Sequence, residues 1–332
     1  MNISAGLTTS RVTPLIVIVG PTASGKSALG VHLAERLRGE VVACDSTQVY
    51  RHFDIGTAKP TREEQRGIPH HLMDLVEPQE LFTAGEYRLR ALEILEVLRQ
   101  RNRLPIVTAG TGLYLRALLE GLADAPARSE ELRARLNERA RSGGPTYLHR
   151  LLKRLDPAAA ARIAPRDLPK LIRAIEVCLL AGKPISTVHQ AALPGLQGFV
   201  PLKVGLMPNR AGLYQRIERR GEAMLERGWL QEVRDLVARG IPATAKPFQF
   251  IGYSELRAHL EGKQSLKEAV AAIQGATRRY AKRQLTWFRK ESGVHWFPGF
   301  GDDTEIVAAV LRHLEKGLVG ESPARACGAE GV

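Results

Sequence analysis

The segment Leu15 to Gly30 reads LIVIVGPTASGKSALG and constrains the fold more than any other part of the chain. Its branched apolar start is typical of a strand buried on both faces of a parallel sheet. Residues Gly20 to Ser27 then match the spacing G-x-x-x-x-G-K-[ST], ahead of a helical pattern. In such a strand–loop–helix, backbone N–H groups bind phosphate, Lys26 adds positive charge and Ser27 can hold Mg²⁺. The segment predicts a phosphate-binding loop, and the alternative is a glycine-rich turn.

The charge of the chain is concentrated away from this loop. Of the 332 residues, 48 are Lys or Arg and 35 are Asp or Glu, which gives a net charge of +13. Residues 1–120 carry 14 basic and 13 acidic residues, so residues 121–332 hold 34 and 22. This asymmetry favours a polyanionic partner over a merely soluble basic surface. A membrane partner is not expected, since no segment approaches the roughly 18 to 20 apolar residues of a membrane span.

Cysteine usage and the chain ends indicate a cytoplasmic protein. Cys44, Cys178 and Cys327 are few and widely spaced, which argues against a disulfide framework. Cys44 lies in an apolar strand pattern and is expected to be a small buried residue, not a nucleophile. The N-terminal sequence MNISAGLTTSRVTP lacks the apolar region of a signal peptide and is expected to be a disordered lead-in.

Strand and helix patterns alternate through the first part of the chain. The apolar runs at 15–19, 40–43, 105–108 and 202–206 predict strands, and a helix is expected from about Ala84 to Arg101. Between residues 129 and 181 only helical patterns occur, separated by Gly and Pro. We therefore predict an α/β fold, a P-loop NTPase-like parallel sheet flanked by helices, with an all-helical insertion. The expected boundaries are 12–120 for the first part of the core, 121–198 for the insertion, 199–316 for the second part of the core and 317–332 for a disordered tail.

Polar residues that directly follow predicted strands are candidate site residues. Asp45 follows the second strand and Thr111 follows the third, and both are expected at the carboxyl edge of the sheet, where ligands bind in doubly wound folds. Asp45 could be a Mg²⁺ ligand, a general base or a helix cap, and Thr111 could be only a turn former. The adjacent His70 and His71 lack a third ligand at usable spacing and are interpreted as hydrogen-bonded loop residues.

The segment ATRRYAKRQLTWFRK, residues 276–290, combines basic and aromatic residues with helical spacing. Arg278, Lys282, Arg283 and their basic neighbours form rows that could contact a phosphate backbone. The expected apolar side consists of Tyr280, Leu285, Trp287 and Phe288. The alternative is a solvated helix face.

These residues leave several function classes open. A phosphate loop most often serves a nucleotide, so a P-loop kinase acting on a small metabolite or RNA is the default. However, the chain has no NKxD-like base-reading segment, and Asp45 is its only convincing second Mg²⁺ carboxylate, which leaves room for another diphosphate. A non-catalytic RNA-binding module is the third possibility.

Seven motifs, in this order and with these gaps, resemble the tRNA dimethylallyltransferase family, the adenosine-37 tRNA prenyltransferases. They are GPTASGKS, DSTQVY, DIGTAKP, PHHLMD, AGTGLY, LIRAIEV and YAKRQLTWFR, and the resemblance runs from about Ile16 to Phe297. Together they are far more specific than the phosphate loop alone. The family usually has Gly-Gly-Thr where this chain has Ala109-Gly110-Thr111, and the extra methyl should leave Thr111 in place.

The resemblance implies a reaction. The chain would transfer a dimethylallyl group from dimethylallyl diphosphate to N6 of adenosine 37, in tRNAs reading codons that begin with U. It would release diphosphate, with Mg²⁺ as cofactor and Ser27 as metal ligand. Asp45 would be the general base for a base flipped into a channel, and the further catalytic residues would be Lys26, Thr111 and Arg220, with Arg216 as the alternate to Arg220. The diphosphate would be bound by Gly20, Pro21, Thr22, Ala23, Ser24, Gly25, Lys26 and Ser27.

The resemblance also implies a tRNA surface. The implied contacts are Asp45, Ser46, Thr47, Gln48, Thr111, Arg133, Pro169, Lys170, Leu171, Ile172, Arg173, Gln249, Phe250, Gly252 and Tyr253; Arg278, Lys282 and Arg283 are added from the basic helix. The helical insertion would clamp the anticodon stem. We expect a monomer whose partners are tRNA and dimethylallyl diphosphate.

Overall fold

The computed structural model describes residues 12–144, 146–190 and 194–320 of the chain. Residues 1–11 of the predicted lead-in and 321–332 of the predicted tail, with Cys327, lie outside this description. The described chain divides into two compact units, Met1–Leu118 with Gly198–Val332, and Leu119–Gln197. The limits of the second unit differ from the predicted 121–198 by two residues at its start and one at its end.

A six-stranded sheet forms the centre of the first unit. All paired strands are parallel, in the order β3-β2-β4-β1-β5-β6. The strands are β1 Thr13–Val19, β2 Gly39–Cys44, β3 His70–His71, β4 Leu104–Ala109, β5 Phe199–Leu206 and β6 Val294–Phe297. The predicted α/β class with a parallel sheet is confirmed.

Helices connect and flank these strands. In the first unit they are α1 Lys26–Leu37, α2 Arg62–Gln65, α3 Ala84–Gln100 and α4 Gly112–Glu120, the last crossing into the second unit. The second unit contains α5 Glu130–Ser142, α6 Tyr147–Leu155, α7 Pro157–Arg162, α8 Leu168–Ala181 and α9 Ile185–Gln190. The first unit continues with α10 Arg210–Glu226, α11 Trp229–Ala238, a 3₁₀ helix Lys246–Gln249, α12 Tyr253–Leu260, α13 Leu266–Phe288 and α14 Thr304–Gly320.

Local sequence explains where the long helices begin. Thr83 and Glu86 form a reciprocal capping box at α3, and Ser265 and Glu268 form one at α13. Each box satisfies two backbone N–H donors that a helix N-terminus otherwise leaves unpaired. Helix α3, which the sequence predicts from about Ala84, therefore begins directly after its capping residue Thr83.

The core of the first unit lies on both faces of β1. Residues Leu15 to Val19 are completely buried, and Ile16 and Ile18 pack in one cluster with Leu29 and Leu33 of α1. This burial on both faces explains the continuous apolar run, because each alternate side chain of a central parallel strand meets a helical layer.

Three sequence expectations need correction. The edge strands β3 and β6 have only two and four residues, too short to give a periodic signal, and were not predicted. Strand β1 begins at Thr13, inside the expected lead-in. Helix α14 continues to Gly320, so the tail boundary at residue 317 falls inside a helix.

The second unit has its own apolar core and a buried ion cluster. Leu148, Leu152, Leu171 and Ile175 form the centre of that core. Among the described residues of both units, no helix is long and apolar enough to cross a membrane.

Candidate active site

Three loops leave the same edge of the sheet and carry the candidate residues. Val19 of β1 and Cys44 of β2 both lie beside Ala109 of β4 in the strand register. Because the strands are parallel and end together, the phosphate loop, Asp45 and the Gly110–Thr111 turn start next to one another.

The phosphate loop has the backbone that its sequence predicts. Gly25 has a φ of 86°, and a Cβ there would lie 2.7 Å from the backbone nitrogen of Gly301. Gly301 donates its backbone N–H to the Ser24 carbonyl at 2.8 Å. A residue with a side chain at position 25 would be strained and would collide with this contact. The loop after β6 therefore supports the phosphate loop. This supporting loop lies after Phe297, outside the region that resembles the family.

Lys26 lies inside the phosphate loop. Its Nζ donates a hydrogen bond to the Pro21 carbonyl at 2.8 Å. Burial lowers the pKa of Lys26 to about 8, Asp45 opposes this shift and the positive charge of Arg220 adds to it. The three side chains thus act on one another electrostatically at the edge of the sheet.

Arg220 contacts the phosphate loop, and Arg216 does not occupy the same position. Arg220 Nη2 donates to Thr22 Oγ1 at 2.8 Å, and burial with the nearby Arg227 lowers its pKa to about 10. Arg216 forms an ion pair with Asp302 and stacks 4.4 Å from the centre of the Phe300 ring. Of the two candidate arginines, Arg216 and Arg220, Arg220 has the geometry to face a bound phosphate.

The carboxylate of Asp45 is held by its own turn. Oδ1 accepts hydrogen bonds from the Thr47 backbone N–H at 2.8 Å and from Thr47 Oγ1 at 2.7 Å. This is the turn geometry that Asp favours at its own backbone two residues on. Oδ2 faces Gly110, where an added Cβ would lie only 2.2 Å away. The carboxylate is oriented, with one oxygen directed at the neighbouring turn.

Thr111 links that turn to the residue after Asp45. Its Oγ1 accepts from the Ser46 backbone N–H at 2.9 Å and donates to Ser46 Oγ at 3.1 Å. Ala109 is completely buried at the end of β4. The family usually has Gly-Gly-Thr at this position. With Ala109-Gly110-Thr111 in its place, Thr111 is still hydrogen-bonded to the loop of Asp45, as expected.

Sequence reasoning missed one buried polar residue of this site. Gln284 of α13 is 6% exposed, and its amide bonds both to the Thr22 backbone N–H at 2.7 Å and to the Gly110 carbonyl at 2.8 Å. Tyr280 Oη also donates to Gly110, at 3.2 Å. The available signal was a glutamine on the helix face that contains Ala281 and Phe288, both of which are buried.

The same face corrects the expected apolar side of the basic helix. Trp287 is 40% exposed, and the buried residues near it are Ala281, Gln284 and Phe288. Lys282 and Arg283 are exposed, as predicted for phosphate contacts, whereas Arg278 pairs with Glu218 at 2.9 Å.

The motifs DIGTAKP and PHHLMD have structural partners. Lys59 Nζ contacts Asp54 at 2.7 Å and Asp74 at 2.5 Å, and thus joins the two motifs. His71 hydrogen-bonds Glu40 at 2.7 Å, and His70 hydrogen-bonds the Ile68 carbonyl at 2.9 Å. The histidines are hydrogen-bonded as expected, but they form strand β3 instead of a loop.

Several of the predicted tRNA contacts are buried residues. Leu171 and Tyr253 are completely buried, Ile172 is 6% exposed and Gly252 is also buried. Tyr253 Oη donates to Glu232 at 2.6 Å. The side chains of Leu171 and Ile172 pack in the core of the second unit, and Tyr253 packs in a core of the first unit, so their structural role is packing and their RNA contacts stay predictions. Pro169, Lys170 and Gln249 are exposed, and Phe250 is half-buried against Tyr50.

Two further predicted tRNA contacts form an ion cluster within the second unit. Arg133 donates two hydrogen bonds of 2.8 Å to the carboxylate of Glu176, and Arg173 donates one of 2.7 Å. Glu176 is completely buried, and these bonds outweigh its burial and lower its pKa to about 2. The guanidinium groups therefore stabilise the helical unit. Gln48 is similarly engaged, since its Nε2 donates to the Ala58 carbonyl at 3.1 Å.

Within the described part of the chain, side chains alone offer few ligands for a metal ion. The described residues contain no group of three or more His, Cys, Asp or Glu side chains arranged to hold a metal ion. Side-chain oxygens at or beside the phosphate loop include the Ser27 hydroxyl, which is exposed, the Thr22 hydroxyl, and the carboxylates of Asp45 and Asp302. Hydroxyl and carboxylate oxygens suit Mg²⁺, which usually takes few protein ligands and completes its shell with water and phosphate.

Comparison with known proteins gives one consistent result. The profile of the family described as IPP transferase matches residues 48–291. The chain is 52% identical over 301 residues to a tRNA dimethylallyltransferase of Koribacter versatilis, covering 91% of this chain and 98% of the relative. It is 49% identical over 306 residues to one of Solibacter usitatus, covering 92% and 99%.

Solved structures agree with these relatives. A full-length tRNA isopentenylpyrophosphate transferase from Bacillus halodurans is 38% identical with a TM-score of 0.69, covering 92% of this chain and 97% of that one. A eukaryotic dimethylallyltransferase described as acting on tRNA is 28% identical with a TM-score of 0.80, covering 93% and 80%.

Proposed function

The chain belongs to the IPP transferase family, and on this basis we propose that it is a prenyltransferase that transfers a dimethylallyl group to tRNA. The donor is dimethylallyl diphosphate and the acceptor is N6 of adenosine 37, in tRNAs reading codons that begin with U. The products are N6-dimethylallyladenosine and diphosphate. The observation that carries the proposal is a phosphate loop beside an oriented carboxylate, in a chain about half identical to tRNA dimethylallyltransferases.

The chemistry explains why both features are needed. Adenine N6 is a weak nucleophile because its lone pair is delocalised into the ring. The reaction therefore depends on stabilising the leaving diphosphate and on removing a proton from N6. The phosphate loop and the carboxylate of Asp45 are suited to these two tasks.

Lys26 and Arg220 are proposed to stabilise the leaving group. Both are cationic, both are partly buried, and Arg220 contacts Thr22 of the phosphate loop. As the allylic C–O bond breaks, negative charge accumulates on the diphosphate oxygens. Preorganised cations at that point lower the barrier because they need no reorganisation during the step.

Asp45 is proposed as the general base. Thr47 fixes Oδ1, so Oδ2 is the oxygen available to accept the N6 proton. Thr111 holds Ser46 and thereby the turn that carries the base. The alternative of a helix cap does not apply, since residues 46–49 form a turn and the bond from the Thr47 N–H to Oδ1 closes that turn.

The oxygen set near the loop fits Mg²⁺, and Ser27 is the proposed protein ligand. When bound, the ion would neutralise charge on the diphosphate.

The RNA must present adenosine 37 outside the base stack. Extruding a stacked base costs a few kcal/mol, which contacts between enzyme and anticodon loop must offset. Exposed Lys282 and Arg283 are proposed phosphate contacts, and the helical unit is proposed to contact the anticodon stem. A tRNA substrate implies a cytoplasmic enzyme, and a monomer remains the prediction for its oligomeric state.

A transfer assay tests the reaction. Purified protein is incubated with unmodified tRNA containing A36-A37, Mg²⁺ and either radiolabelled dimethylallyl diphosphate or radiolabelled ATP. Label on adenosine 37 from the prenyl donor alone is expected. Label transferred from ATP would favour the kinase, and no transfer from either donor would favour an RNA-binding module.

Replacing Asp45 tests the assigned base. We expect Asp45→Ala to lower the transfer rate by about 10²- to 10⁴-fold, because proton removal from N6 loses its acceptor. Filter binding should show that the variant still binds tRNA. Asp235→Ala, an exposed carboxylate of α11, is the matched control and should keep normal activity. An Asp45→Ala enzyme with most of its activity would remove this residue as base.

A further inference from the structure

Gln284 joins both halves of the proposed active site by hydrogen bonds. Its Oε1 accepts from Thr22 of the phosphate loop at 2.7 Å, and its Nε2 donates to Gly110 of the turn after β4 at 2.8 Å. Thr22 and Gln284 are 262 positions apart in the chain, and Gly110 is 174 positions from Gln284. Helix α13 thus places one side-chain amide between two loops that are both distant from it in the sequence.

The contacts on either side extend to the reacting groups. On one side, Thr22 Oγ1 accepts a hydrogen bond from Arg220, the cation proposed for diphosphate. On the other side, Gly110 lies so close to Asp45 Oδ2 that a Cβ would be 2.2 Å from it. A continuous series of contacts therefore runs from Arg220 through Thr22, Gln284 and Gly110 to Asp45.

A primary amide of this length satisfies both partners. Thr22 presents a donor and Gly110 presents an acceptor, so the bridging group must accept at one atom and donate at the other. A glutamate would accept from Thr22 but, when ionised, could not donate to Gly110. A methionine of similar size would leave the Thr22 N–H without this partner and the Gly110 carbonyl with only its bond from Tyr280 Oη.

We infer that Gln284 is a positioning residue, which sets the separation between the phosphate loop and the general base. This inference rests on the proposed function, because it assigns the two loops to the leaving group and to proton removal. The reaction requires a fixed separation between the two loops, because the allylic carbon must lie between the diphosphate oxygen and N6. Small displacements of reacting groups reduce the rate steeply even when binding is intact.

The inference predicts a specific kinetic pattern. Gln284→Met should lower kcat by about 10- to 100-fold, because the two loops lose their common anchor. KM for dimethylallyl diphosphate and for tRNA should change by less than about threefold, because the binding residues themselves remain. Gln284→Glu should show the same pattern and serves as a second variant if Gln284→Met does not fold.

A second α13 variant controls for lost stability. Ile273 is 5% exposed and packs in a separate cluster with residues such as Trp229 and Leu256. Ile273→Ala should lower the Tm without touching either loop, so its kcat below the Tm should stay near that of the wild type. Thermal melts give the Tm of each variant. Steady-state kinetics are then measured at one temperature at which every variant is folded.

The outcomes separate the two hypotheses. Normal kcat in Gln284→Met, or a decrease matched by Ile273→Ala at equal loss of Tm, would overturn the positioning role. A change confined to KM for tRNA would also overturn it and would indicate substrate contact instead. Absence of transfer by the wild-type protein would overturn the proposed function, and the positioning role with it.

Discussion

At the scale of single residues, position 110 depends on glycine and position 109 does not. A Cβ at Gly110 would lie 2.2 Å from Asp45 Oδ2, whereas the methyl of Ala109 is already buried at the end of β4. The two positions differ because, at the edge of the sheet, the turn at Gly110 passes close to the carboxylate of Asp45. Substituting both positions separates the two roles.

We expect Gly110→Ala to lower kcat strongly, because the added methyl displaces the carboxylate of Asp45. Ala109→Gly should keep near-normal kcat and lose about 1 kcal/mol of unfolding free energy, since it removes a buried methyl and adds backbone freedom. Steady-state kinetics and urea unfolding measure the two effects. Equal activity in both variants would contradict the close approach of residue 110 to Asp45.

The charge of Lys26 changes within an accessible pH range. Its pKa is lowered to about 8, so in the free protein the ammonium loses its charge as the pH rises through that value. Arg220, with a pKa of about 10, stays charged over most of the same range. A neutral amine attracts an anion less, so affinity for diphosphate must fall as Lys26 deprotonates.

Calorimetric titration with inorganic diphosphate between about pH 7 and 9.5 should therefore show weaker binding at the alkaline end, with proton uptake near pH 8. Lys26→Met is the control: it should bind more weakly throughout and lack the uptake assigned to Lys26. The difference between the two affinities corrects for titration of the ligand itself. If the two log Kd profiles run parallel, Lys26 does not titrate at the site.

At the scale of elements, helices α5 and α8 are joined by a buried ion cluster. Glu176 on α8 accepts hydrogen bonds from Arg133 of α5, from Arg173 of its own helix and from the Ser129 backbone N–H. Removing one member of such a cluster leaves buried charges without compensation. The cluster therefore contributes to the stability of the helical unit, whatever its arginines contact in RNA.

Glu176→Gln should cost about 3 kcal/mol of unfolding free energy at pH 7, followed by circular dichroism. The pKa of Glu176 is lowered from 4.5 to about 2, so its stabilisation is fully present above 4.5 and is lost as the pH falls through about 2. The difference between wild type and variant should shrink over that interval. Glu138→Gln, an exposed residue of α5 paired loosely with Arg141, should cost at most about 0.5 kcal/mol. A Glu176→Gln protein as stable as this control would contradict the cluster.

At the scale of the whole molecule, charge is the property that a polyanionic substrate senses. The net charge is +13, and +12 of it lies in residues 121–332. Counterion release makes RNA affinity fall with salt, by a log–log slope of about 0.7 per phosphate contact on single strands.

The double variant Lys282→Gln with Arg283→Gln should weaken tRNA binding and reduce the salt slope by about 1.4. Arg101 is the matched control, because it is exposed just before β4, at the amino edge of the sheet opposite the candidate site. Arg101→Gln should leave the slope unchanged. Filter binding at several salt concentrations measures both, and equal slopes for the two variants would exclude Lys282 and Arg283 as phosphate contacts.

Much of the fold follows from local signals. The apolar run before the glycine-rich loop and the spacing of that loop act within a few positions of one another. They predicted the parallel α/β core, the position of the phosphate loop and Asp45 at the edge of the sheet. The two edge strands were missed because two to four residues contain no period.

The sequence by itself determined which chemical groups are present and at which strand ends they emerge. Only the tertiary structure decided which of them meet: Arg220 rather than Arg216 contacts Thr22, and Glu176 takes Arg133 and Arg173. It also buries Leu171 and Tyr253, and it brings Gln284 to Thr22 across 262 positions. The physical reason is that burial and hydrogen bonding depend on residues that are neighbours in space. Hydrophobic periodicity and motif spacing contain information only about neighbours along the chain.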